Sequence, residues 1–133
     1  MLGYACFGLH PLTQGTYDLY WIVVDPIAQG RGIGHALLAR VEAEVQARGG
    51  RLLLVETSST PAYASARRFY ESSGYRCEAT IHDFYAPGDN LVIFSKDLGQ
   101  VQSPREALSE YQQIVGEMAT VVPISRVGSL QAQ

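Results

Sequence analysis

The sequence predicts a single α/β domain. Stretches with the composition of strands and stretches with helical periodicity follow one another in the order strand, strand, helix, strand, helix, strand, strand. A glycine-rich loop stands between the second strand and the first helix. The length of 133 residues, with 47% hydrophobic and 17% charged residues, matches one globular domain with a substantial core.

The chain opens with a predicted β-hairpin. Gly3–Leu9 is a run of small and apolar residues that ends at His10-Pro11, where proline favours a turn. Thr16–Val24 is rich in aromatic and β-branched residues, as in a well-buried strand. Asp25-Pro26 ends this strand because proline has no backbone donor for a sheet.

Two helices flank a predicted central strand. In the first helix, apolar residues recur at three- to four-residue spacing from Gly34 until the pair Gly49-Gly50. Arg51–Thr57 contains Leu-Leu-Leu-Val, a run typical of a strand that is buried on both faces. The second helix is expected to begin at Thr60-Pro61 and to end at Gly74.

The rest of the chain contains a second hairpin and a tail. Tyr75–Phe84 and Leu91–Leu98 are predicted strands joined by Ala-Pro-Gly-Asp-Asn, a strong turn signal. Capping-box spacing and an apolar stripe predict a helix over Pro104–Met118, whereas Val121–Gln133 shows no clear period and is expected to fray. We therefore expect a domain over residues 1–98 and a C-terminal helix and tail over residues 99–133.

Composition and charge exclude several classes of protein. The net charge is −3 and the pI about 5.5, so nothing favours nucleic acid or an anionic membrane as a partner. The apolar runs are too short to span a bilayer, and Met1–His10 lacks the features of a signal peptide. Cys6 and Cys77 have no metal-binding spacing and are interpreted as reduced, buried thiols. The sequence thus predicts a cytoplasmic protein without a metal site.

The segment Gln29–Gly34, Gln-Gly-Arg-Gly-Ile-Gly, follows a strand and opens a helix. Backbone N–H groups at such a place converge at the positive end of the helix dipole, so the segment predicts a site for one or two phosphate groups, with Arg31 as a charged donor. His35-Ala36 excludes a Walker loop. The third glycine of a dinucleotide fingerprint is missing or replaced, which disfavours NAD even with Glu56 after the next strand. A turn that only caps the helix is the plainer alternative.

Two motifs resemble those of the GCN5-related N-acetyltransferases, the GNAT family. Val23-Val24-Asp25-Pro26 and the following loop are similar to the family's acetyl-CoA motif, Gln/Arg-x-x-Gly-x-Gly/Ala, which Gln29, Gly32 and Gly34 satisfy. Ala66–Tyr75 is similar to the family's helix that ends in Phe/Leu-Tyr-Glu-x-x-Gly-Phe/Tyr. The resemblance covers roughly residues 3–98 and implies a mixed, mostly antiparallel sheet with helices on both faces.

The resemblance also implies acetyl-CoA as the donor and assigns residues to its binding. The main chain of Val23 and Val24 is expected to hold the pantetheine arm and to polarise the thioester carbonyl. Tyr63 stands where members often have an asparagine that contacts the cofactor, so its ring could pack on the pantetheine or adenine without reproducing the amide contacts. The residues expected at the pyrophosphate are Gln29, Gly30, Arg31, Gly32, Ile33 and Gly34.

Acetyl transfer to an amine needs a neutral amine, a polarised carbonyl and a proton for the departing thiolate. Tyr70 matches the family tyrosine taken as general acid, although a core-facing tyrosine fits the same apolar stripe. Glu56 is one candidate base, acting through a water, and many members have no dedicated base. The three histidines are isolated along the chain and are interpreted as surface or turn residues, namely His10, His35 and His82.

Asp18 is the other candidate base. It lies eleven residues before Gln29, where the histone-acetylating branch of the family carries its glutamate base. Strand alternation predicts one face shared by Asp18, Tyr20, Ile22 and Val24, and a carboxylate on an otherwise apolar strand is costly to bury. The alternative for Asp18 is a solvated residue at the end of a strand.

Family members normally have a strand, two helices and a further strand before the hairpin at Gly3–Val24, so the resemblance implies an N-terminally shortened domain. A truncated gene product, a partner chain that supplies the missing part and a reduced domain are three competing explanations. Gly3–Leu9 is then expected as an exposed, apolar edge strand, which favours pairing or a homodimer. The helix at Pro104–Met118 could instead cover this surface.

Together these observations predict an N-acetyltransferase that moves the acetyl group of acetyl-CoA directly to an amine of a small molecule or peptide. The alternative is a non-catalytic acyl-CoA-binding module or a truncated, inactive fragment, and an NAD-binding fragment is a weaker one. Neither motif contacts the acceptor, so the sequence does not identify it.

Overall fold

A computed structural model describes residues 1–99 and 120–124. Single 3-10 turns, Pro26–Ala28 and Pro61–Tyr63, precede the two helices. The predicted helix at Pro104–Met118 lies outside the described residues. The regular elements are, in chain order, β1 (Gly3–Leu9), β2 (Thr16–Val24), α1 (Ile33–Ala47), β3 (Leu52–Ser58), α2 (Ala64–Ser72), β4 (Arg76–Ala86), β5 (Asp89–Asp97) and β6 (Thr120–Ile124).

The chain divides into two compact units. The first unit consists of Met1–Leu53 with the described part of Leu98–Gln133, and the second consists of Leu54–Asp97. Each unit contains strands and one helix, as the α/β class predicts. The described strand pairings, β1 with β2, β1 with β6 and β4 with β5, are all antiparallel.

In the first unit, α1 packs against the hairpin of β1 and β2. Phe7, Tyr17 and Leu37 are completely buried in this core. Gly50, after α1, is packed so closely that a Cβ there would lie 2.2 Å from Val45 Cγ1 and 2.9 Å from Tyr17 Cδ1. Only glycine therefore lets the chain leave α1 along this path.

β2 contains a bulge that changes which of its residues share a face. Cys6 pairs with Trp21 and Phe7 with Leu19, so the register shifts by one residue at Tyr20. Alternation is therefore broken at Tyr20, and the predicted common face of Asp18, Tyr20, Ile22 and Val24 is wrong. The fully buried Tyr17 lies on the α1 side before the bulge. Asp18 shares the opposite face with Trp21 beyond it.

Burial along β2 follows the bulge. Its first half is buried, whereas Tyr20, Trp21 and Val23 are 41%, 51% and 40% exposed. The prediction of a well-buried strand therefore holds for the first half only. The Val23 side chain is not a core side chain.

β6 corrects two expectations about the ends of the chain. It pairs with β1 from Gly3 opposite Ile124 to Phe7 opposite Thr120. Residues 120–124 therefore form a strand where no regular structure was expected. β1 has β2 on one side and β6 on the other, so it is not the exposed edge strand that was the argument for a homodimer.

In the second unit, β5 lies between β4 and β3. β4 and β5 form the predicted hairpin around a turn at Pro87-Gly88, where Gly88 has a φ of 81°. α2 places Tyr70 in the core beside Tyr75 and Phe94. Every residue of β4 is exposed.

The two cysteines differ in their exposure to solvent. Cys6 is buried, and burial raises the pKa of its thiol. Cys77 is exposed on β4, so the expectation of two buried thiols is wrong for it. In the described part of the chain, no helix is long and apolar enough to cross a membrane.

Candidate functional site

A short, internally bonded segment leads from β2 into α1. The carboxylate of Asp25 accepts a hydrogen bond from the backbone N–H of Ile27 at 2.9 Å, which caps the 3-10 turn at Pro26–Ala28. Nε2 of Gln29 donates to the carbonyl of Val24 at 3.4 Å. The predicted phosphate loop is thus tied to the end of β2.

Two glycines set the shape of this loop. Gly30 and Gly32 have φ values of 83° and 77°, in the left-handed region that favours glycine. Gly32 is the N-cap of α1 and brings no side-chain cap. A Cβ on either glycine would meet no atom within 4 Å, so both are required for backbone conformation and stand beside open space. The loop and the start of α1 therefore suit an anion at the positive end of the helix.

The loop residues differ in what they can offer a ligand. Gly34 is half-buried, and the side chain of Ile33 is only 1% exposed. Ile33 therefore belongs to the core and has only its main chain to contribute. The exposed members of the loop are Gln29, Gly30, Arg31 and Gly32.

A groove of about 220 Å³ lies next to this loop, at the end of β2 and the start of β1. It is lined by residues 1–4 and by Val23, Val24, Asp25 and Pro26. The groove thus includes the two valines that the sequence assigns to the pantetheine arm.

Tyr70 lies in the aromatic core of the second unit. It is 8% exposed, and its ring centroid is 5.2 Å from that of Phe69, 5.8 Å from that of Tyr75 and 6.1 Å from that of Phe94. Burial raises the pKa of its phenol above the ordinary value. The ring is a core side chain, and its hydroxyl stays protonated over the whole neutral range, as a proton donor requires.

Glu56 and Tyr63 belong to a second group of side chains in that unit. Both are exposed, Tyr63 to 50%. The pKa of Tyr85 is raised by burial and then by the charges of Glu56, Asp89 and Tyr63, so each of these three groups lies within electrostatic reach of Tyr85. Sequence reasoning did not single out Tyr85 or Asp89, because neither belongs to a motif.

Asp18 has a partner that sequence reasoning missed. Its Oδ2 accepts a hydrogen bond from Nδ1 of His10 at 2.7 Å. The hairpin register could have indicated this contact. Leu9 pairs with Tyr17, so His10 and Asp18, the residues that follow them in the chain, are diagonal neighbours across the two strands. Tyr20 is also near, because its pKa is raised by burial and then by the charges of Asp18 and Cys6.

The structure therefore groups the predicted residues in two sets. The first unit contains the glycine loop, the groove and the pair of Asp18 with His10. The second unit contains Glu56, Tyr63 and Tyr70.

Comparison with known proteins gives these two sets a family context. Residues 1–77 match a family model described as an acetyltransferase (GNAT) domain. A ribosomal protein bS18-alanine N-acetyltransferase of Escherichia coli K12 is 37% identical over 83 residues, which are 62% of this chain and 54% of the relative. An amino-acid acetyltransferase of Ectopseudomonas mendocina is 34% identical over 95 residues, or 71% of this chain and 22% of that protein. The chain thus spans about half, or less, of these relatives.

The fold leads to the same family. A solved structure from Desulfovibrio desulfuricans, assigned to the GNAT family, is 50% identical with a TM-score of 0.74. The match covers 74% of this chain and 62% of that one, and it confirms the predicted GNAT-like α/β fold. The family model matches more than half of the chain, and the glycine loop lies where α1 begins. The chain therefore belongs to the GNAT family of acetyltransferases.

Proposed function

We propose that this chain binds acetyl-CoA and transfers the acetyl group to an amine of a small molecule or peptide. The observation that carries the proposal is the start of α1, which has no side-chain cap and stands behind two left-handed glycines with open space beside them. Membership of an acetyltransferase family supports an acyl-CoA over other phosphate ligands.

The first unit supplies the donor site. The backbone of Gly30, Gly32 and Gly34 binds the pyrophosphate, with Gln29 and Arg31 at its edge. The main chain of Val23 and Val24 holds the pantetheine arm, and the groove beside these two valines supports this assignment. Tyr63 is a further contact for the donor in this proposal.

Bound acetyl-CoA supplies an activated thioester. Tyr70 holds a proton at its hydroxyl and delivers it to the departing sulfur, a role that the raised pKa of this phenol supports. Asp18, with its partner His10, is the first candidate for handling the proton of the amine, and Glu56 is the second. Polarisation of the carbonyl falls to backbone N–H groups of β2.

The class of acceptor is supported by the names of relatives, which refer to an alanine of a ribosomal protein, to an amino acid and to blasticidin S. An amine is common to these acceptors. A cytoplasmic location and a homodimer or completing partner chain stay predictions.

Calorimetry and a thiol assay test the proposal. CoA is titrated into the chain, with NAD as the control nucleotide, and release of CoA from acetyl-CoA is measured over a panel of amines. We expect CoA to bind, NAD not to compete, and at least one amine to be acetylated. Binding without turnover of any amine would favour the non-catalytic acyl-CoA-binding module, and absence of CoA binding would refute both.

A further inference from the structure

The sheet of the first unit has a face opposite α1 whose residues the register identifies. Gly3 and Phe7 lie on the α1 side, since a Cβ on Gly3 would be 3.0 Å from Leu37 Cδ1 and Arg48, after α1, lies over the Phe7 ring. Residues that alternate with them on β1 therefore face the other way, together with their partners on β2. The partners are Val23 opposite Tyr4, Trp21 opposite Cys6 and Asp18 opposite Gly8.

This face combines exposed aromatic rings with one carboxylate. Trp21 and Tyr20 are 51% and 41% exposed, with ring centroids 6.2 Å apart. Aromatic faces attract cations, and so does the carboxylate of Asp18, whose side chain is 22% exposed. The face is therefore complementary to an organic ammonium group that carries an apolar substituent.

The pair of His10 with Asp18 defines which imidazole nitrogen can take a proton. Nδ1 of His10 faces Oδ2 of Asp18 at 2.7 Å, and a carboxylate only accepts, so Nδ1 is the donor. In the neutral imidazole, Nε2 then carries the lone pair. The backbone of His10 is fixed by its N–H, which donates to the carbonyl of Thr16 at 2.8 Å, and by Thr13 Oγ1, which donates to its carbonyl at 2.7 Å.

We infer that Nε2 of His10 removes the proton of the acceptor ammonium and that Asp18 is the positioning residue that holds the required tautomer. This inference rests on the proposed acetyl transfer. The ammonium loses one proton to Nε2, and the carboxylate of Asp18 balances the resulting imidazolium. The freed nitrogen electron pair forms the bond to the acetyl carbon, and the nitrogen releases its second proton as the amide forms. The sulfur departs with the C–S pair and takes up one proton to become the thiol. The imidazolium then returns its proton to water.

The position of the pair on β2 fits this role. Asp18 lies on the same face of β2 as Val23, which the proposed function assigns to the donor, and the bulge at Tyr20 lies between them. Tyr20 and Trp21 line the stretch between them. An amine whose apolar part packs on these two rings would place its nitrogen between Asp18 and Val23.

Two amines of the same skeleton test the inference. Benzylamine is protonated at neutral pH, whereas O-benzylhydroxylamine is neutral and needs no deprotonation before it attacks. We expect His10→Gln to lower kcat/KM for benzylamine about 10²-fold and to affect O-benzylhydroxylamine far less. Asp18→Asn should show the same selectivity with a smaller loss. His82→Gln is the matched control, because His82 is an exposed histidine on β4 in the other unit, and it should act on both amines like the wild type.

A second variant guards against an indirect effect on folding. In His10→Ala, added imidazole should restore part of the turnover of benzylamine, which a purely structural role of His10 would not allow. Equal losses for the two amines, or no loss, would overturn the inference and leave the proposed acetyl transfer intact. If the wild type acetylates no amine at all, the inference and the proposed function fall together.

Discussion

Replacing Gly32 with alanine tests whether the glycine loop is the binding site of the donor. Gly32 has a φ of 77°, and a Cβ there would touch nothing within 4 Å, so the substitution adds backbone strain without a clash. An L-residue in this region costs about 1–2 kcal/mol. If the free loop of the variant relaxes and CoA requires the present shape, the strain has to be restored on binding, and the Kd for CoA should rise about 5- to 30-fold.

Gly88 provides a matched control for this strain. It lies in the turn between β4 and β5 with a φ of 81°, and a Cβ there would also meet nothing within 4 Å. Gly32→Ala and Gly88→Ala are compared by calorimetric titration with CoA and by thermal melting. We expect Gly88→Ala to bind CoA like the wild type and to melt below it, whereas Gly32→Ala should bind CoA more weakly with a smaller change in Tm. Wild-type affinity in Gly32→Ala at a wild-type Tm would refute the assignment of the loop to the pyrophosphate.

Four further predictions concern the core, the general acid (two of them) and the last described strand. Leu37→Ala, at a position with no exposed surface, should lower the free energy of unfolding by about 2–5 kcal/mol, whereas Leu12→Ala, at a 91% exposed position, should change it by less than about 0.5 kcal/mol; denaturant unfolding measures both. Tyr70→Phe keeps the ring, so turnover should fall about 10²-fold at an unchanged Tm, and full turnover would remove Tyr70 from the mechanism. Burial raises the pKa of Tyr70 in the folded state above its unfolded value of about 10. The stability that comes from keeping this phenol neutral is therefore complete below about pH 10 and is lost as the pH rises through the raised pKa of the folded state. Because phenylalanine does not ionise, Tyr70→Phe should resist alkaline unfolding better than the wild type. Deletion of residues 120–133 should lower the Tm and cause self-association seen by size-exclusion chromatography, because β1 keeps β2 but loses β6 on its other side. Deletion of residues 125–133 keeps β6 and is the matched control, for which we expect neither effect.

Local sequence signals predicted most of the elements. β1 and β2 have the bounds that Pro11, the Gly15 turn and Pro26 indicated, and α1 begins at the glycine loop as expected. These signals suffice because each turn or cap is formed by neighbouring residues. The shape of the glycine loop was predictable for the same reason, since it depends on one short segment that joins a strand to a helix.

The features that were missed depend on pairing across the chain. Tyr20 lies in a run of aromatic and β-branched residues that fits either face, so only the register against β1 shows the bulge. Thr120–Ile124 is short and contains Pro123, so it shows no hydrophobic period of its own. It forms a strand because it pairs with β1. The contact of His10 with Asp18 follows from the same hairpin register and from no sequence motif.

The pairing of β1 with β6 has a consequence for how the chain is made. Phe7 and Thr120 are neighbours in the sheet, yet more than a hundred residues separate them in the chain. At a synthesis rate of about 5–20 residues per second, β1 leaves the ribosome roughly 6–25 s before its partner strand does. During this interval one side of β1 has open backbone groups that another nascent chain could pair with. Rapid elongation, or a chaperone that holds the N-terminal hairpin, should therefore raise the yield of correctly folded protein.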